Sequence, residues 1–323
     1  MVTEFQDELV ITEDKVSQIT SEELKRLVNS GKSAALALQL MMDQCSSLCT
    51  QRIIKLISED LEFYLTHSSG SYLLQKILDN SETSFKEMLS NKINSDFTRF
   101  ASNEYASRVM QKLLETFNPF LKNSLHKFAS NVEVYTKDFS SVFLVSAALQ
   151  AAKTQSSKDF VLEALSQDPE NYLHNKYFKR VLISYILTCS EASLSKCFGI
   201  FTAFIGIDSI FDDKYRSLIF KAFLDRSLPA AQQLLLHSIS HHLVTLIDQK
   251  YFGYFVSQLL RRVSNMDMMN QLYNNIRQQE SRDYFEEVMT SSSRYKKYSA
   301  IVLQLREYLH GGYCKTPEET RED

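Results

Sequence analysis

Short apolar segments with a similar pattern recur along the chain at a nearly constant interval. The first three are marked by Gln39, Gln75 and Gln111, which lie 36 residues apart. Five looser copies follow at steps of 35, 37, 38, 37 and 46 residues, and in them the same place holds Ser146 (or Val145), Ile183, Lys221, Gln258 and Gln304. A fixed period of this length is typical of a helical solenoid, in which each repeat buries its apolar face against its neighbours.

The residues between these segments also have a helical pattern. Apolar side chains ahead of each segment recur at helical spacing, as Ile53 and Ile57 show. The chain has only 7 Gly and 4 Pro in 323 residues, and Pro119, Pro169 and Pro229 lie between the segments, where a new helix can begin. Each repeat is therefore predicted as a longer helix, a short turn and a signature helix that carries the recurring segment.

The charges of the chain are distributed unevenly. Residues 1–24 hold seven acids and one base, residues 316–323 hold four acids and one base, and residues 25–315 have a net charge of +6. We predict an acidic N-terminal segment (1–24), one elongated helical repeat domain (25–312) and an acidic C-terminal tail (313–323). The mildly basic domain suits a polyanion, but charge alone does not decide that it binds nucleic acid.

The composition favours an intracellular protein without a membrane segment. The most apolar stretch, residues 198–211, includes Asp208 and is too short to cross a bilayer. The acidic N-terminus lacks the basic region of a signal peptide, so none is expected. The five scattered cysteines indicate reduced thiols rather than disulfides or a metal site. Nucleus and cytoplasm both remain open as compartments.

An enzyme is not indicated. His237, His241 and His242 lie on one predicted helix, but no glutamate follows the first histidine as it does in a metalloprotease helix. We interpret them as a polar helix face. The sequence shows no glycine-rich phosphate loop ahead of a helix and no recognisable catalytic set. No catalytic residue, metal, cofactor or small-molecule substrate is therefore predicted.

The signature helices of the second and third repeats carry the same polar chemistry. A hydroxyl, a flat side chain and an amide stand at i, i+1 and i+4, which we call the hydroxyl, stacking and amide positions. These positions hold Ser71, Tyr72 and Gln75 in one repeat, and Ser107, Arg108 and Gln111 in the next. We expect all six to be exposed on one surface, because residues at this spacing share a helix face. Such a set can hydrogen-bond the edge of a base and stack on its ring.

Segments 70–79, 105–115 and 252–258 resemble Pumilio (PUF) repeats, and the resemblance extends over about residues 25–310. It implies an all-α fold, a right-handed, armadillo-like α-solenoid of about eight repeats, that binds single-stranded RNA at one base per repeat. It further implies that Ser71 with Gln75, and Ser107 with Gln111, select adenine, while Tyr72 and Arg108 stack.

The other repeats depart from this pattern. The first keeps the amide of Gln39 only, and the fourth has no clear set. The remaining repeats offer RNA contacts through a mixed group of side chains: Lys179, Arg180, Lys221, Tyr254, Phe255, Gln258 and Gln304. The cations Lys179, Arg180 and Lys221 suit phosphates better than base edges. This mixture resembles the divergent nucleolar Pumilio-like branch, which acts in assembly of the small ribosomal subunit.

Two classes of function follow. The first is RNA binding, with single-stranded pre-ribosomal RNA and ribosome-assembly proteins as partners in the nucleus or nucleolus. Within this class, a cytoplasmic regulator that binds mRNA 3′ untranslated regions is the alternative. The second class is a protein-binding scaffold of the armadillo or HEAT kind, in which the divergent repeats have become docking surfaces.

Overall fold

The protein consists of helices, as the sequence predicts. The computed structural model describes residues 18–31, 38, 47–206, 209–260, 270–271, 273–274 and 296–303. Within these ranges every regular element is helical and none is a strand, and none of the helices is both long and apolar enough to cross a membrane. The chain divides into two compact units, Met1–Phe160 and Val161–Asp323, which we call the N-terminal and C-terminal halves.

After a first helix, α1 (Ser21–Asn29), the N-terminal half repeats the order of long, short and signature helix three times. The second repeat comprises α2 (Ser47–Ser58), α3 (Leu61–Thr66) and α4 (Ser68–Asn80). The third comprises α5 (Thr83–Ser95), α6 (Phe97–Ser102) and α7 (Glu104–Thr116), and the fourth comprises α8 (Asn118–Ser130), α9 (Val132–Tyr135) and α10 (Phe139–Ala151).

The C-terminal half continues the pattern with more variation. The fifth repeat comprises α11 (Phe160–Gln167), α12 (Pro169–His174) and α13 (Phe178–Thr188). The sixth and seventh follow as α14 (Glu191–Phe204) with α15 (Lys214–Asp225), and α16 (Pro229–Asp248) with α17 (Phe252–Leu260). In both halves consecutive signature helices pack side by side, with α7 between α4 and α10, and α15 between α13 and α17.

The link predicted as a short turn is a helix of its own in repeats two to five. The helices α3, α6, α9 and α12 contain only four to six residues, which is too short for hydrophobic periodicity to reveal them. Each follows an aspartate or asparagine, and ahead of α3, α9 and α12 the side chain of this residue accepts a hydrogen bond from the first turn, as Asp60 does from the Phe63 backbone N–H at 3.2 Å. Each of these four repeats thus has three helices rather than two.

A polar side chain caps the start of most signature helices. The backbone N–H groups of the first turn lack partners within the helix, and they donate to the side chains of His67, Asn103, Asp138, Asn175 and Asp213. These capping positions are 36, 35, 37 and 38 residues apart. The cap therefore follows the same period as the apolar segments, and it sets where each signature helix begins.

The apolar face of each signature helix lies in the core, as predicted. On α4, Leu73, Leu74, Ile77 and Leu78 are at most 1% exposed. The corresponding residues of α7, including Val109 and Met110, are fully buried. Full burial of each such side chain contributes about 1.5–3 kcal/mol to stability, so the signature helices are held by their packing.

Helix α1 begins inside the stretch predicted as an acidic N-terminal segment. Thr20 and Glu23 form a capping box, in which the Glu23 backbone N–H donates to Thr20 Oγ1 at 3.3 Å and the Thr20 N–H donates to Glu23 Oε2 at 2.9 Å. Two of the seven acids, Glu22 and Glu23, lie in the first turn, where the helix dipole favours carboxylates. These two charges therefore stabilise a helix start.

Candidate nucleic-acid interface

The stacking position faces outward on three consecutive signature helices of the N-terminal half. Tyr72 on α4 is 40% exposed, the Arg108 side chain on α7 is 42% exposed, and Phe143 on α10 is 39% exposed. Each is followed directly by two buried core residues, such as Leu144 and Val145 after Phe143. We call Tyr72, Arg108 and Phe143 the flat row.

Sequence reasoning missed Phe143, because the fourth repeat was uncertain by one residue. It lies 35 residues after Arg108, and the step alone could have found it. Phe139, one turn earlier on α10, is 56% exposed, and its ring meets that of Phe143 edge to face at 4.6 Å between centroids. The fourth repeat thus exposes two aromatic rings, although no set of hydroxyl, stacking and amide residues was predicted for it.

Tyr72 and Arg108 contact each other across the boundary between their repeats. Arg108 Nη1 donates to the Tyr72 hydroxyl at 3.3 Å, while Arg108 Nη2 lies 2.7 Å from Glu104 Oε1, one turn earlier on α7. Glu104 is itself 62% exposed. The guanidinium therefore lies between a carboxylate on its own helix and a phenol on the neighbouring one.

The hydroxyl position is buried, so the expectation that Ser71 and Ser107 are exposed is wrong. Ser71 is fully buried and Ser107 is 2% exposed. Their hydroxyls donate to backbone carbonyls of the same first turn, Ser68 O at 2.8 Å and Glu104 O at 3.0 Å. The physical reason is that this turn packs against the short helix ahead of it, α3 against α4 and α6 against α7.

The amide position lies at the edge of the exposed face. Gln75 and Gln111 are both partly exposed rather than buried in the core, which agrees with the predicted helix register. The Gln75 amide donates to the Ser71 backbone carbonyl at 3.1 Å, so its nitrogen is engaged by its own helix. The adenine selection implied by the Pumilio resemblance stays a prediction for both glutamines.

Lys179 and Lys221 are not placed as the phosphate contacts expected from sequence. Their side chains are only 6% and 7% exposed. Lys179 Nζ lies 3.2 Å from Asp213, and Lys221 Nζ lies 2.6 Å from Asp225. Both lysines occur at positions that turn toward the packed face of their helices, so each needs a carboxylate to offset the loss of water. The structure therefore contradicts the prediction that these two lysines are exposed to a polyanion.

Asp213 joins two repeats through this ion pair. It caps α15 by accepting from the Arg216 backbone N–H at 2.8 Å, and it binds Lys179 of α13 through the same oxygen. Burial by itself raises the pKa of the Asp213 carboxyl, but the hydrogen bond from Arg216 and the nearby Lys179 ammonium outweigh it. The pKa of Asp213 therefore lies below its ordinary value.

The register predicted for the seventh repeat is off by one residue. Tyr254 is 41% exposed, whereas Phe255, expected to stack, is 1% exposed and packs against the rings of Phe211 and Phe220. The outward Tyr254 followed by two buried residues is the pattern of the flat row. Tyr254 therefore occupies the stacking position, which moves the amide position to Ser257.

The remaining predicted residues are placed only in part. Arg180 occupies the stacking position of α13 and is partly buried; its phosphate contact stays a prediction. Its counterpart on α15 is the aliphatic Leu218. Gln39, Gln304 and the side chain of Gln258 lie outside the described residues.

Comparisons with known proteins agree with this architecture. Residues 37–61, 66–93 and 96–125 match the model of the Pumilio-family RNA binding repeat. No curated protein sequence matches the chain.

Three solved structures illustrate the similarity of fold. PUF-8 in complex with PBE-RNA has a TM-score of 0.74 and 17% identity, with 91% of this chain and 86% of that chain covered. The Puf3 RNA binding domain bound to a Cox17 RNA 3′ UTR recognition sequence has a TM-score of 0.68 and 14% identity, with coverage of 92% and 94%. The RNA-binding domain of yeast Puf5p bound to SMX2 RNA has a TM-score of 0.61 and 15% identity, with coverage of 92% and 89%. Three segments between residues 37 and 125 therefore match the Pumilio-family repeat, and the chain has the α-solenoid fold of Pumilio proteins.

Proposed function

We propose that the protein binds single-stranded RNA along the flat row of its N-terminal half. The observation that carries the proposal is that Tyr72, Arg108 and Phe143 occupy the same outward position on three adjacent signature helices. Two of these helices, α4 and α7, lie in segments that match the Pumilio RNA-binding repeat. Successive bases stack on such a series of flat groups, and each contact contributes about 1–3 kcal/mol.

The chemistry next to the row adds selectivity to stacking. Gln75 and Gln111 stand one turn after Tyr72 and Arg108 on the same side of their helices. Their amides present a donor and an acceptor, the pair that can bind adenine through two hydrogen bonds. Phe143 has Ser146 at the amide position and Val142 at the hydroxyl position, so it supports stacking with little selection of the base.

The C-terminal half supports a short recognised sequence rather than an eight-base code. The amide position holds Ile183 in the fifth repeat and the paired, buried Lys221 in the sixth. Neither offers an amide for a base edge. We infer an adenine-favouring anchor on α4 and α7 beside a stretch that tolerates any base.

We propose pre-ribosomal RNA, bound during assembly of the small subunit in the nucleolus, as the physiological ligand. Limited selectivity is sufficient there, because the structured RNA and the assembly proteins around it add to the specificity. The alternative is regulation of mRNA in the cytoplasm. It is favoured by one observation: Puf3 and Puf4, which share the fold, are bound to 3′ UTR recognition sequences.

Crosslinking in cells followed by sequencing of the bound RNA tests both proposals. Crosslinks concentrated in pre-ribosomal RNA, and lost in a Tyr72→Ala variant, are the expected result. Crosslinks that share one long consensus in mRNA 3′ untranslated regions would favour the regulator. An absence of RNA crosslinks, together with recovery of a defined protein partner, would favour the armadillo-like scaffold instead.

A further inference from the structure

The contact between Tyr72 and Arg108 occupies the place where a base would enter. If RNA binds as proposed above, a base on this part of the row lies between the two stacking residues of adjacent repeats. A base held between two flat groups needs ring separations in the range of about 4.5–7 Å on each side. The tips of the two side chains, however, are joined across this opening, because Arg108 Nη1 donates a hydrogen bond to Tyr72 OH at 3.3 Å.

Glu104 holds the arginine in this arrangement. Its carboxylate lies 2.7 Å from Arg108 Nη2, so the guanidinium is bound at two of its nitrogens at once. A hydrogen bond between charged groups is stronger than one between neutral groups, and i, i+4 spacing on α7 makes the pair local. The backbones of α4 and α7 are packed together, so only the side chains can move apart.

We propose that Glu104 is a positioning residue that, through Arg108, keeps the gap between Tyr72 and Arg108 closed until a base enters. We call Glu104, Arg108 and Tyr72 the clasp. This inference rests on the proposed RNA-binding function and adds a control of affinity to it. A base that binds here breaks the hydrogen bond between Arg108 and Tyr72. The free energy of RNA binding is therefore less favourable by the free energy of that bond.

The clasp makes an unusual prediction for two conservative variants. Tyr72→Phe retains the aromatic ring but removes the hydroxyl that accepts from Arg108, without a change in charge. Glu104→Gln weakens the hold on the guanidinium. Both variants should bind a short oligoadenylate more tightly than the wild type, each by about two- to fivefold, which corresponds to the loss of one modest hydrogen bond.

Two controls separate the clasp from general effects of charge and folding. Glu133→Gln neutralises another exposed i, i+4 carboxylate, which lies on α9 and pairs with Lys137, two residues beyond the end of that helix, and it should leave the affinity unchanged. An abasic oligonucleotide of equal length carries the phosphates without bases, and Tyr72→Phe should not bind it more tightly. Thermal unfolding of all variants should match that of the wild type.

The experiment distinguishes failure of the clasp from failure of the proposed function. Tyr72→Ala removes the ring and should weaken oligoadenylate binding by about five- to 150-fold. If it has no effect, or if the wild type binds no oligoadenylate, the proposed RNA site is wrong and the clasp falls with it. If Tyr72→Ala weakens binding while Tyr72→Phe leaves it unchanged or weakens it, the RNA site stands and the clasp is overturned. In the last case the hydrogen bond would hold Arg108 ready for stacking rather than keep a base out.

Discussion

The two halves of the protein use equivalent positions of the signature helix for different purposes. In the N-terminal half, the hydroxyl position holds Ser71 and Ser107, whose bonds stay within one turn of their own helices. In the C-terminal half, Ser217 of α15 makes the same bond within its own turn, but the hydroxyl position of α13 holds Lys179, which reaches the next repeat and pairs with Asp213. The long side chain of Lys179 thus links two repeats, whereas the short serine side chains bond only within their own helices.

The comparison extends to the outward face. Tyr72, Arg108 and Phe143 form a continuous series of flat groups, whereas the corresponding series in the C-terminal half passes through Leu218 before it reaches Tyr254. A solenoid is stable as long as each repeat packs on its neighbours. Its outward positions can therefore change chemistry without loss of the fold, and ion pairs can replace part of the packing between repeats.

The largest expected effect concerns the stability of the C-terminal half. Asp213→Ala leaves the buried Lys179 without a partner and α15 without its cap, so the free energy of unfolding should fall by about 3 kcal/mol. Asp138→Ala removes the cap of α10 in the N-terminal half and the hydrogen bonds from the Ser102 and Ser141 hydroxyls, but no lysine pair, and it should cost about 1–2 kcal/mol. Urea denaturation measures both. Equal losses would show that the ion pair contributes nothing.

Loss of a flat side chain should weaken RNA binding unequally in the two halves. Tyr72→Ala should cost about 1–3 kcal/mol in binding to oligoadenylate, because a base loses its stacking partner. Tyr254→Ala removes an equally exposed ring, but its neighbour at the stacking position is Leu218, so the cost should be below about 0.5 kcal/mol. Titration calorimetry compares the two. Similar costs would mean that RNA contacts both halves alike.

A change at the amide position should alter base preference rather than overall affinity. In Gln75→Glu, the carboxylate can no longer donate to the Ser71 carbonyl, and it can accept from two donors of guanine where adenine offers no such pair. The preference for guanine over adenine should increase by about 1 kcal/mol. Gln150→Glu introduces the same charge at an exposed site on α10 and should leave the preference unchanged. A parallel shift in both variants would attribute the effect to charge alone.

The pH dependence of stability should report the Asp213 pair. Because the folded pKa of Asp213 lies below its ordinary value, its stabilisation is complete above the unfolded pKa of about 4 and is lost as the pH falls through the folded value. The advantage of the wild type over Asp213→Asn in urea denaturation should therefore shrink below about pH 4. An advantage that stays constant to lower pH would contradict the assigned pair.

The smallest effect is expected where the sequence first suggested a phosphate contact. Lys221→Met removes a charge that is already paired with Asp225 and buried, so RNA affinity and its dependence on salt should not change. Arg108→Gln, by contrast, removes an exposed charge from the flat row and should reduce the salt dependence by somewhat under one unit. A lower salt dependence in Lys221→Met would restore the lysine as an RNA contact.

The sequence by itself determined the helical solenoid, because the same apolar pattern occurs in one repeat after another. A period near 36 residues, with Leu73 and Val109 at equivalent places, recurs often enough to outweigh the ambiguity of any one segment. The outward placement of Tyr72 and Arg108 followed from the same register. On a helix, the direction of a side chain is fixed relative to that of the buried residues next to it. The short helices could not be predicted, because four to six residues carry too little periodicity.

Only the tertiary structure decided which polar residues face solvent. Ser71 stands beside Tyr72 in sequence, yet it is buried because the preceding short helix covers the first turn of α4. Lys179 and Lys221 have the chemistry of phosphate contacts, and their carboxylate partners became apparent only once the helices were packed. The clasp likewise joins residues 36 apart on two helices. Burial and pairing depend on neighbours that are distant in sequence, and a pattern within one segment carries no information about them.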